Sequence, residues 1–399
     1  MIFKKKKVGL RFVFIFLFLI NSVIYSKHID FKGQLSGWSL FSEWYKNFQI
    51  GLRYIPELSL EKTISDKFSI DTELSLNLYS TLLYGSRDDA CTESRMKPYR
   101  IWARLSTSHL EVRVGLQKIS FGSATLLRPL MWFDRIDPRD PLQITNGVYG
   151  LLFRYYFLNN ANIWLWGLIG NDETRGWDVV VSDCSNPEYG GRIQYPLPRG
   201  EIAVSYHHRK IDTERSIDYL LKSMGIGSNP LVKGLLPDIP RSYNEDRLGI
   251  DGKWDVEVGI WVEMSFVRSD IDFSFMRYQK MICTGIDYTF MLGNGLHVLA
   301  EHLINEMSER FFSSGESHHF SAAEADYPIG LLDSVTGIIF YDWENSQWYR
   351  FMMWKRTYDK LSIFLMGFWN PDRFQIDQMK YGGNLITGKG IQLMLAYNH

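Results

Sequence analysis

After its first 26 residues, the sequence contains no apolar run long enough for a membrane-spanning helix. Its net charge is −1, so it also lacks the basic excess that draws a protein to nucleic acid. Cysteine is scarce, with three residues in 399, which argues against a dense disulfide framework. These shortages disfavour a helical membrane protein, a nucleic-acid-binding protein and a small disulfide-stapled domain.

The sequence also lacks the short motifs of common catalytic and cofactor sites. It has no G-x-S-x-G nucleophile turn, no His-x-x-x-His zinc spacing and no Gly-rich phosphate loop. We therefore predict that the protein is not an enzyme and that it needs no metal and no cofactor. A hydrolase built on a barrel is the weaker alternative.

The N-terminus has the layout of a secretory signal peptide. Four lysines from Lys4 to Lys7 precede an apolar stretch from Val8 to Tyr25, and the small residue Ser26 follows at a plausible cleavage point. A permanent N-terminal anchor is the alternative, because the apolar stretch approaches spanning length. The chain is thus divided into a signal peptide at 1–26 and a single domain at 27–399.

Aromatic residues and alternating segments are abundant. Phe, Tyr and Trp make up 15% of the chain. Apolar and polar residues alternate from Phe68 to Leu78 and from Val258 to Phe266, which predicts strands with one apolar and one polar face. An exported, aromatic-rich chain of such strands is typical of a transmembrane antiparallel up-and-down β-barrel, with its apolar face toward lipid and its polar face toward the lumen.

The connections predict a barrel with two different ends. About 16 to 18 strands can be assigned, the last two at 374–386 and 389–398. Short turns, as at 65–66, 198–199 and 344–345, alternate with long connections predicted at 81–97, 119–147, 170–187, 209–244, 268–278 and 305–333. Tight periplasmic turns and long outer loops are typical of outer-membrane barrels, whereas sandwiches and propellers have no such asymmetry.

The connection at 119–147 is unlike an ordinary loop. It contains three prolines and a run of opposite charges, and its centre from Leu126 to Phe133 is largely apolar. An apolar segment of this size is hard to leave facing water. We therefore predict that this loop folds into the lumen and packs against the inner wall.

The same region carries a family resemblance. Its residues Val114-Gly115-Leu116-Gln117-Lys118, Phe121-Gly122, Arg128-Pro129 and Ile136-Asp137-Pro138 resemble a recurrent feature of porin-like outer-membrane barrels, including the general porin and alginate-export types. Lys118 stands where arginine is more usual, and Phe121 where tryptophan is common. The resemblance covers this stretch alone. It implies a barrel of about 16 to 18 strands with the loop in the lumen, and it identifies no solute.

Candidate pore residues follow from the alternation and from the loop. The charged residues assigned to the inward face of the wall are Arg53, Arg100, Arg104, Glu111, Arg113, Arg154 and Arg192. Those of the loop are Arg128, Asp134, Arg135, Asp137, Arg139 and Asp140. If the loop folds inward, its carboxylates face the wall arginines across a narrowed pore and influence which ions pass. A solvated, mutually paired lining without selectivity is the alternative.

The function that these features favour is a passive, porin-like channel for small hydrophilic or charged solutes in the outer membrane of a Gram-negative bacterium. Its expected partners are outer-membrane lipid, the solute and the barrel-assembly machinery, with a homo-oligomer left open. The alternative is a non-channel barrel that serves as a platform for surface interaction, assembly or polysaccharide export.

The three cysteines leave two arrangements open. Cys91 and Cys184 both fall in predicted loops on the same side, so a disulfide between them would leave Cys283 free. Three unpaired thiols are the other arrangement.

Overall fold

The computed structural model describes residues 28–43, 47–65, 67–84, 90–223, 240–270, 277–371 and 388–399. The predicted signal peptide and the predicted strand at 374–386 lie outside these ranges. No helix within these ranges is both long and apolar enough to cross a membrane.

Antiparallel strands make up most of the described chain, and they belong to one sheet. In chain order they are β1 His28–Ser42, β2 Asn47–Ser65, β3 Phe68–Tyr84, β4 Ala90–Ser106, β5 Leu110–Gln117, β6 Val148–Tyr156, β7 Asn162–Leu168, β8 Val181–Ser182, β9 Glu188–Leu197, β10 Gly200–Asp212, β11 Ser242–Asp255, β12 Gly259–Ser269, β13 Tyr278–Phe290, β14 Leu296–Ser308, β15 Glu316–Pro328, β16 Asp333–Asp342, β17 Gln347–Thr357, β18 Leu361–Trp369 and β19 Lys389–Asn398. A helix, α1 Thr213–Ser223, follows β10.

The sheet closes on itself. Strands that follow one another in the chain pair with one another, and β1 pairs with both β2 and β19. The two-residue strand β8 pairs only with the end of β10, so β7 pairs directly with β9. Without β8, 18 strands form the wall, which confirms the predicted all-β, antiparallel up-and-down barrel.

The two faces of the wall are as the alternation predicts. Along β12 the buried residues Trp261, Glu263 and Ser265 alternate with Ile260, Val262 and Met264, which point outward. Because the outward face is apolar and the inward face carries charge, the barrel has the polarity of a wall placed between lipid and a polar lumen.

The two ends of the barrel differ in the length of their connections. At one end every turn has two to five residues, at 66–67, 107–109, 157–161, 198–199, 256–258, 291–295, 329–332 and 358–360. The other end carries the long connections at 118–147, 169–187, 213–241 and 370–388. We call the first the turn end and the second the loop end.

Three of the predicted connections were wrong. The segment at 305–333 contains the strand β15 and a tight turn, so it is not one long loop. The segment at 81–97 is taken up largely by the ends of β3 and β4. Since β15 adds a crossing, the tight turn predicted at 344–345 lies at the loop end and not at the turn end.

Candidate functional site

The connection between β5 and β6, residues 118–147, lies against the inward face of the wall; we call it the lumen loop. Its apolar centre is buried, and Leu127 is 0% exposed. Leu126 and Leu127 pack with inward side chains of β12 to β18, among them Trp261, Leu303 and Phe340. Because the centre of the loop is buried by inward side chains, the loop occupies lumen space rather than covering the rim.

A second apolar contact lies on the opposite flank of the loop. Phe121, Trp132 and Phe133 pack with inward residues of β6 and β7, including Leu152 and Trp166. Their rings meet mostly edge to face, with 5.6 Å between the centroids of Phe121 and Trp132. The lumen loop therefore bridges β6–β7 to β12–β18.

Two wall carboxylates hold the backbone of the lumen loop. Glu301 of β14 accepts hydrogen bonds from the backbone N–H groups of Thr125, Leu126 and Leu127, at 2.6, 2.9 and 2.6 Å. Its other donor is the indole Nε1 of Trp261, at 3.0 Å. Successive N–H groups of a turn form a concave anion site, and here the anion is a side chain of the wall.

Glu263 of β12 holds the same loop at two points. Its carboxylate accepts the backbone N–H of Ala124 at 2.8 Å and that of Leu130 at 2.6 Å. Gly122 lies beside it with a φ of +103°, and a Cβ there would be 2.4 Å from Oε2 of Glu263. The glycine in the Phe121-Gly122 pair is thus required by a positive φ and by the close approach of the carboxylate.

A second connection also turns inward. Residues 169–187 contact the lumen loop through the backbone N–H of Gly176, which donates to the carbonyl of Asp134 at 3.0 Å, and through Trp177 Nε1, which donates to the carbonyl of Arg128 at 3.0 Å. Arg135 of the lumen loop donates to the carbonyl of Gly176 at 3.0 Å. We call residues 169–187 the support loop.

Buried ion pairs join the support loop to the wall. Arg175 makes two hydrogen bonds, of 2.9 and 2.7 Å, to Glu188 of β9, and Asp178 accepts from Arg209 of β10 and Arg247 of β11. The sequence predicts this segment only as a long connection, at 170–187, and its role in supporting the lumen loop was missed. The available signal was Gly176-Trp177, an aromatic residue and a glycine set among charged residues.

Gly176 offers a test of the contact between the two loops. Its φ is +48°, and an added Cβ would lie 2.0 Å from the carbonyl oxygen of Met131. We expect Gly176→Ala to separate the loops and to lower the thermal stability of the barrel, as read from heat-modifiable electrophoretic mobility. Gly170→Ala is the matched control, because Gly170 also has a positive φ (+79°) but nothing lies within 4 Å of its Cβ position. The control should lose only the stability that backbone strain at a positive φ costs, roughly 1–2 kcal/mol. Equal losses in the two variants would contradict the contact.

Charged residues of β3 to β6 cluster in the lumen near the turn end. Arg104 pairs with Asp71 at 2.8 Å, and Glu111 pairs with Arg113 at 2.9 Å and with Arg154 at 3.6 Å. Two of these arginines stack on indoles: Arg113 on Trp102, with 4.7 Å from Cζ to the ring centroid, and Arg154 on Trp164, with 3.8 Å. The structure thus brings together Arg104, Glu111, Arg113 and Arg154.

The other three wall arginines lie apart from this cluster. Arg53 of β2 sits near the rings of Trp38 and Tyr79. Arg100 of β4 is buried and donates to the carbonyl of Thr145 of the lumen loop at 2.9 Å. Arg192 of β9 forms a buried pair with Asp251, with distances of 2.5 and 2.9 Å. Arg192 and Asp251 therefore form a structural ion pair beside the lumen loop.

The charged residues of the lumen loop bond mainly within the loop. Asp134 is 3.6 Å from Arg128, and Asp137 pairs with Arg139 at 2.7 Å. Asp140 accepts the backbone N–H groups of Leu142 and Ile144. The partners of these carboxylates thus lie within the loop, and the expectation that the carboxylates face the wall arginines across a narrowed pore stays a prediction.

The charge of a wall arginine still affects a carboxylate of the lumen loop. Burial raises the pKa of the Asp140 carboxyl, whereas its backbone hydrogen bonds and the charge of Arg53 lower it. Within the loop itself, burial lowers the pKa of Lys118, whereas the charge of Asp134 raises it. Arg53 and Asp140 both line the space that remains in the lumen.

That space is a cavity of about 850 Å³ between the lumen loop, the support loop and the inward faces of β1 to β4 and β19. Charges of both signs line it, including Lys97 paired with Glu173 at 2.9 Å. The cavity lies toward the loop end and the arginine cluster toward the turn end. Arg100, bonded to the loop at Thr145, lies between them.

The cysteines do not form the bridge that was left open. Cys91 is exposed, Cys184 is half-buried and Cys283 is buried, and all three are free thiols.

No protein-family model and no curated protein sequence matches the chain. Solved structures do match. The chain is similar to OccK5 (OpdH) of Pseudomonas aeruginosa, with a TM-score of 0.54 and 13% identity over 94% of this chain and 98% of that one. It is also similar to OmpT of Vibrio cholerae, an outer membrane protein in trimer form, with a TM-score of 0.51 and 11% identity over 93% and 99%. A third is Wzi of Escherichia coli, with a TM-score of 0.51 and 10% identity over 95% and 87%. At these identities the likeness establishes the fold, which is that of a porin-like outer-membrane β-barrel.

Proposed function

We propose that the protein is a passive outer-membrane channel for small hydrophilic or charged solutes. The observation that carries this proposal is the cavity that the lumen loop leaves open on one side of the lumen. The apolar side of the loop is buried against β6–β7 and β12–β18. The wall from β1 to β5, in contrast, retains the cavity at the loop end and half-buried charged side chains at the turn end. A hydrophilic solute would follow this charged side.

The proposed path passes Arg100. Its guanidinium joins the wall to the lumen loop through the Thr145 carbonyl, between the cavity and the arginine cluster. Below it, a solute meets Arg113 and Arg154, which share the single carboxylate of Glu111. Donors in a fixed planar geometry favour contact with anionic groups of a solute.

The double variant Arg113→Ala/Arg154→Ala is expected to shift the ion selectivity of the channel toward cations. A unit charge about 4 Å from a passing ion changes its energy by roughly 1 kcal/mol in water-like surroundings, which is about fivefold in permeability. Because the effect has opposite signs for a cation and an anion, the cation-to-anion permeability ratio should rise by roughly 25-fold or more. Reversal potentials in a salt gradient measure this ratio. Arg268→Ala is the control, because Arg268 is an exposed arginine of β12 whose ion-pair partner is the exposed Asp270. An unchanged reversal potential in the double variant would remove these arginines from the path.

The proposal includes the cellular setting. We place the barrel in the outer membrane of a Gram-negative bacterium, exported through a signal peptide at 1–26 and inserted by the barrel-assembly machinery. No catalytic role and no cofactor is proposed. OmpT of Vibrio cholerae is described in trimer form, and a homo-oligomer is a proposal of the same kind for this chain.

One observation favours a second candidate function. The lumen loop is buried on both flanks and tied to the support loop, as a closed barrel would require. Wzi is described as a carbohydrate-binding β-barrel involved in group 1 capsule assembly. The second candidate is therefore a non-conducting barrel that serves as a surface platform for assembly or polysaccharide export. Conductance in a planar bilayer separates the two candidates.

A further inference from the structure

The lipid-facing wall has a groove across β13 to β17, with a volume of about 740 Å³. Its floor is a row of outward residues that are cross-strand neighbours: Ile286, Ala300, Ala323 and Ile339. The two alanines have short side chains between two isoleucines, so the wall is recessed there. The next row toward the loop end holds Thr284, His302, Ser321, Tyr341 and Trp348.

This second row is polar where a lipid-facing wall is expected to be apolar. The Ser321 hydroxyl bonds to His302 Nδ1 at 2.9 Å and accepts from Trp343 Nε1 at 2.9 Å. The rings of His302 and His319 are 5.8 Å apart. A hydrogen-bonded cluster of this kind is costly in hydrocarbon and is typical of the level where lipid headgroups meet the chains.

The polar row also lies close to the rim of the wall, as expected for the headgroup level. The last residue of β16, Asp342, pairs with Phe320, whereas β15 continues to Glu316. The tight turn at 343–346 therefore ends the wall beside His319, directly above the polar row. Trp343 in this turn and Trp348 just after it are both exposed. The groove thus begins at the interface and runs down into the apolar zone.

A cation lies at the side of the groove. Arg350 is the cross-strand neighbour of Ile339, at the end of the floor row. Its guanidinium lies 5.7 Å from the ring centroid of Trp348, in the polar row above, so the side chain carries its charge toward the interface. The nearby carboxylate of Glu344 is occupied by the backbone N–H of His319, at 2.8 and 3.0 Å.

We propose that this groove binds an acylated, phosphorylated lipid, with one acyl chain on the alanine floor and a phosphate at Arg350. An apolar recess for the chain, a polar row at headgroup level and a cation at its side match the three parts of such a lipid. The proposal rests on the membrane location proposed above and does not depend on conduction. Lipid binding and conductance are separate outcomes: a barrel that does not conduct can bind lipid, and a barrel that conducts can lack the lipid site.

Native mass spectrometry of the barrel in detergent tests this proposal. Phosphatidylglycerol is compared with a phosphate-free galactolipid that has the same chains. We expect one phosphatidylglycerol molecule to be retained, and Ala323→Phe to reduce its retention roughly tenfold, about the effect of losing two buried methylene groups. Arg350→Gln should remove the preference for phosphatidylglycerol over the galactolipid and leave chain binding in place.

Two matched variants serve as controls. Ala103→Phe fills an outward alanine of β4 on another part of the wall, and Arg268→Gln removes an exposed arginine of β12. Equal retention in Ala323→Phe and Ala103→Phe would overturn the proposal. So would dimers or trimers that Ala323→Phe dissociates without changing lipid retention, since the groove would then be a contact between copies of the chain.

Discussion

Replacing Glu301 by alanine is expected to free the lumen loop and to raise the single-channel conductance of the barrel. The change leaves the N–H groups of Thr125, Leu126 and Leu127 without their acceptor, together with the indole of Trp261. Each buried donor left unpaired costs roughly 1–3 kcal/mol, so the total approaches the free energy that stabilises a whole domain. The loop should then leave its position on β14, because water can satisfy those donors only outside the packed core.

The measurement is single-channel recording in planar bilayers, with proteolysis of the loop in detergent as a second readout. Glu324→Ala is the matched control. Glu324 is an inward carboxylate on the neighbouring strand β15, beside Leu299, and none of its hydrogen bonds to the described residues goes to the lumen loop. If both variants conduct like the wild type, the carboxylate does not anchor the loop.

Leu127→Asp is expected to expel the centre of the lumen loop from the apolar core. Leu127 is 0% exposed and packs among inward side chains of β12 to β18. Burying an unpaired carboxylate there costs several kcal/mol, more than the loop gains from leucine burial, roughly 2 kcal/mol. We expect a barrel that still folds, conducts in larger steps and is cut by protease within 118–147.

Leu158→Asp is the matched control for this variant. It introduces the same charge at a leucine that is 91% exposed in a turn at the turn end. It should behave like the wild type in recording and proteolysis. A Leu127→Asp protein that resists protease as the wild type does would show that the centre of the loop is not held by apolar packing.

The wall of the barrel was predictable because alternation is a local property. In β12, the order Ile260, Trp261, Val262, Glu263 already assigns each residue to a face. Closing the sheet into a barrel then requires one further pairing, that of β1 with β19. β15 was missed for a physical reason. Its outward residues include His319, Ser321, Ala323 and Ala325, so it lacks the apolar face that identifies the other strands.

The interior of the site was harder to predict. The apolar centre of the lumen loop indicated burial, and its charges indicated a pore lining. The anchoring of Thr125 by Glu301 depends on a contact between residues 176 positions apart, and no local pattern marks it. The prediction placed the loop carboxylates opposite the wall arginines by charge alone. It did not foresee that wall carboxylates accept the backbone N–H groups of the loop, which are concentrated in one turn.

The measurement that tests the proposed channel most directly is planar-bilayer recording of the wild-type barrel, with heat-modifiable mobility confirming that the sample is folded. A channel narrowed by the lumen loop should insert as discrete, reproducible conductance steps, smaller than those of the Glu301→Ala protein. A folded barrel that inserts and stays electrically silent would contradict the channel and leave the non-conducting platform as the account of this fold.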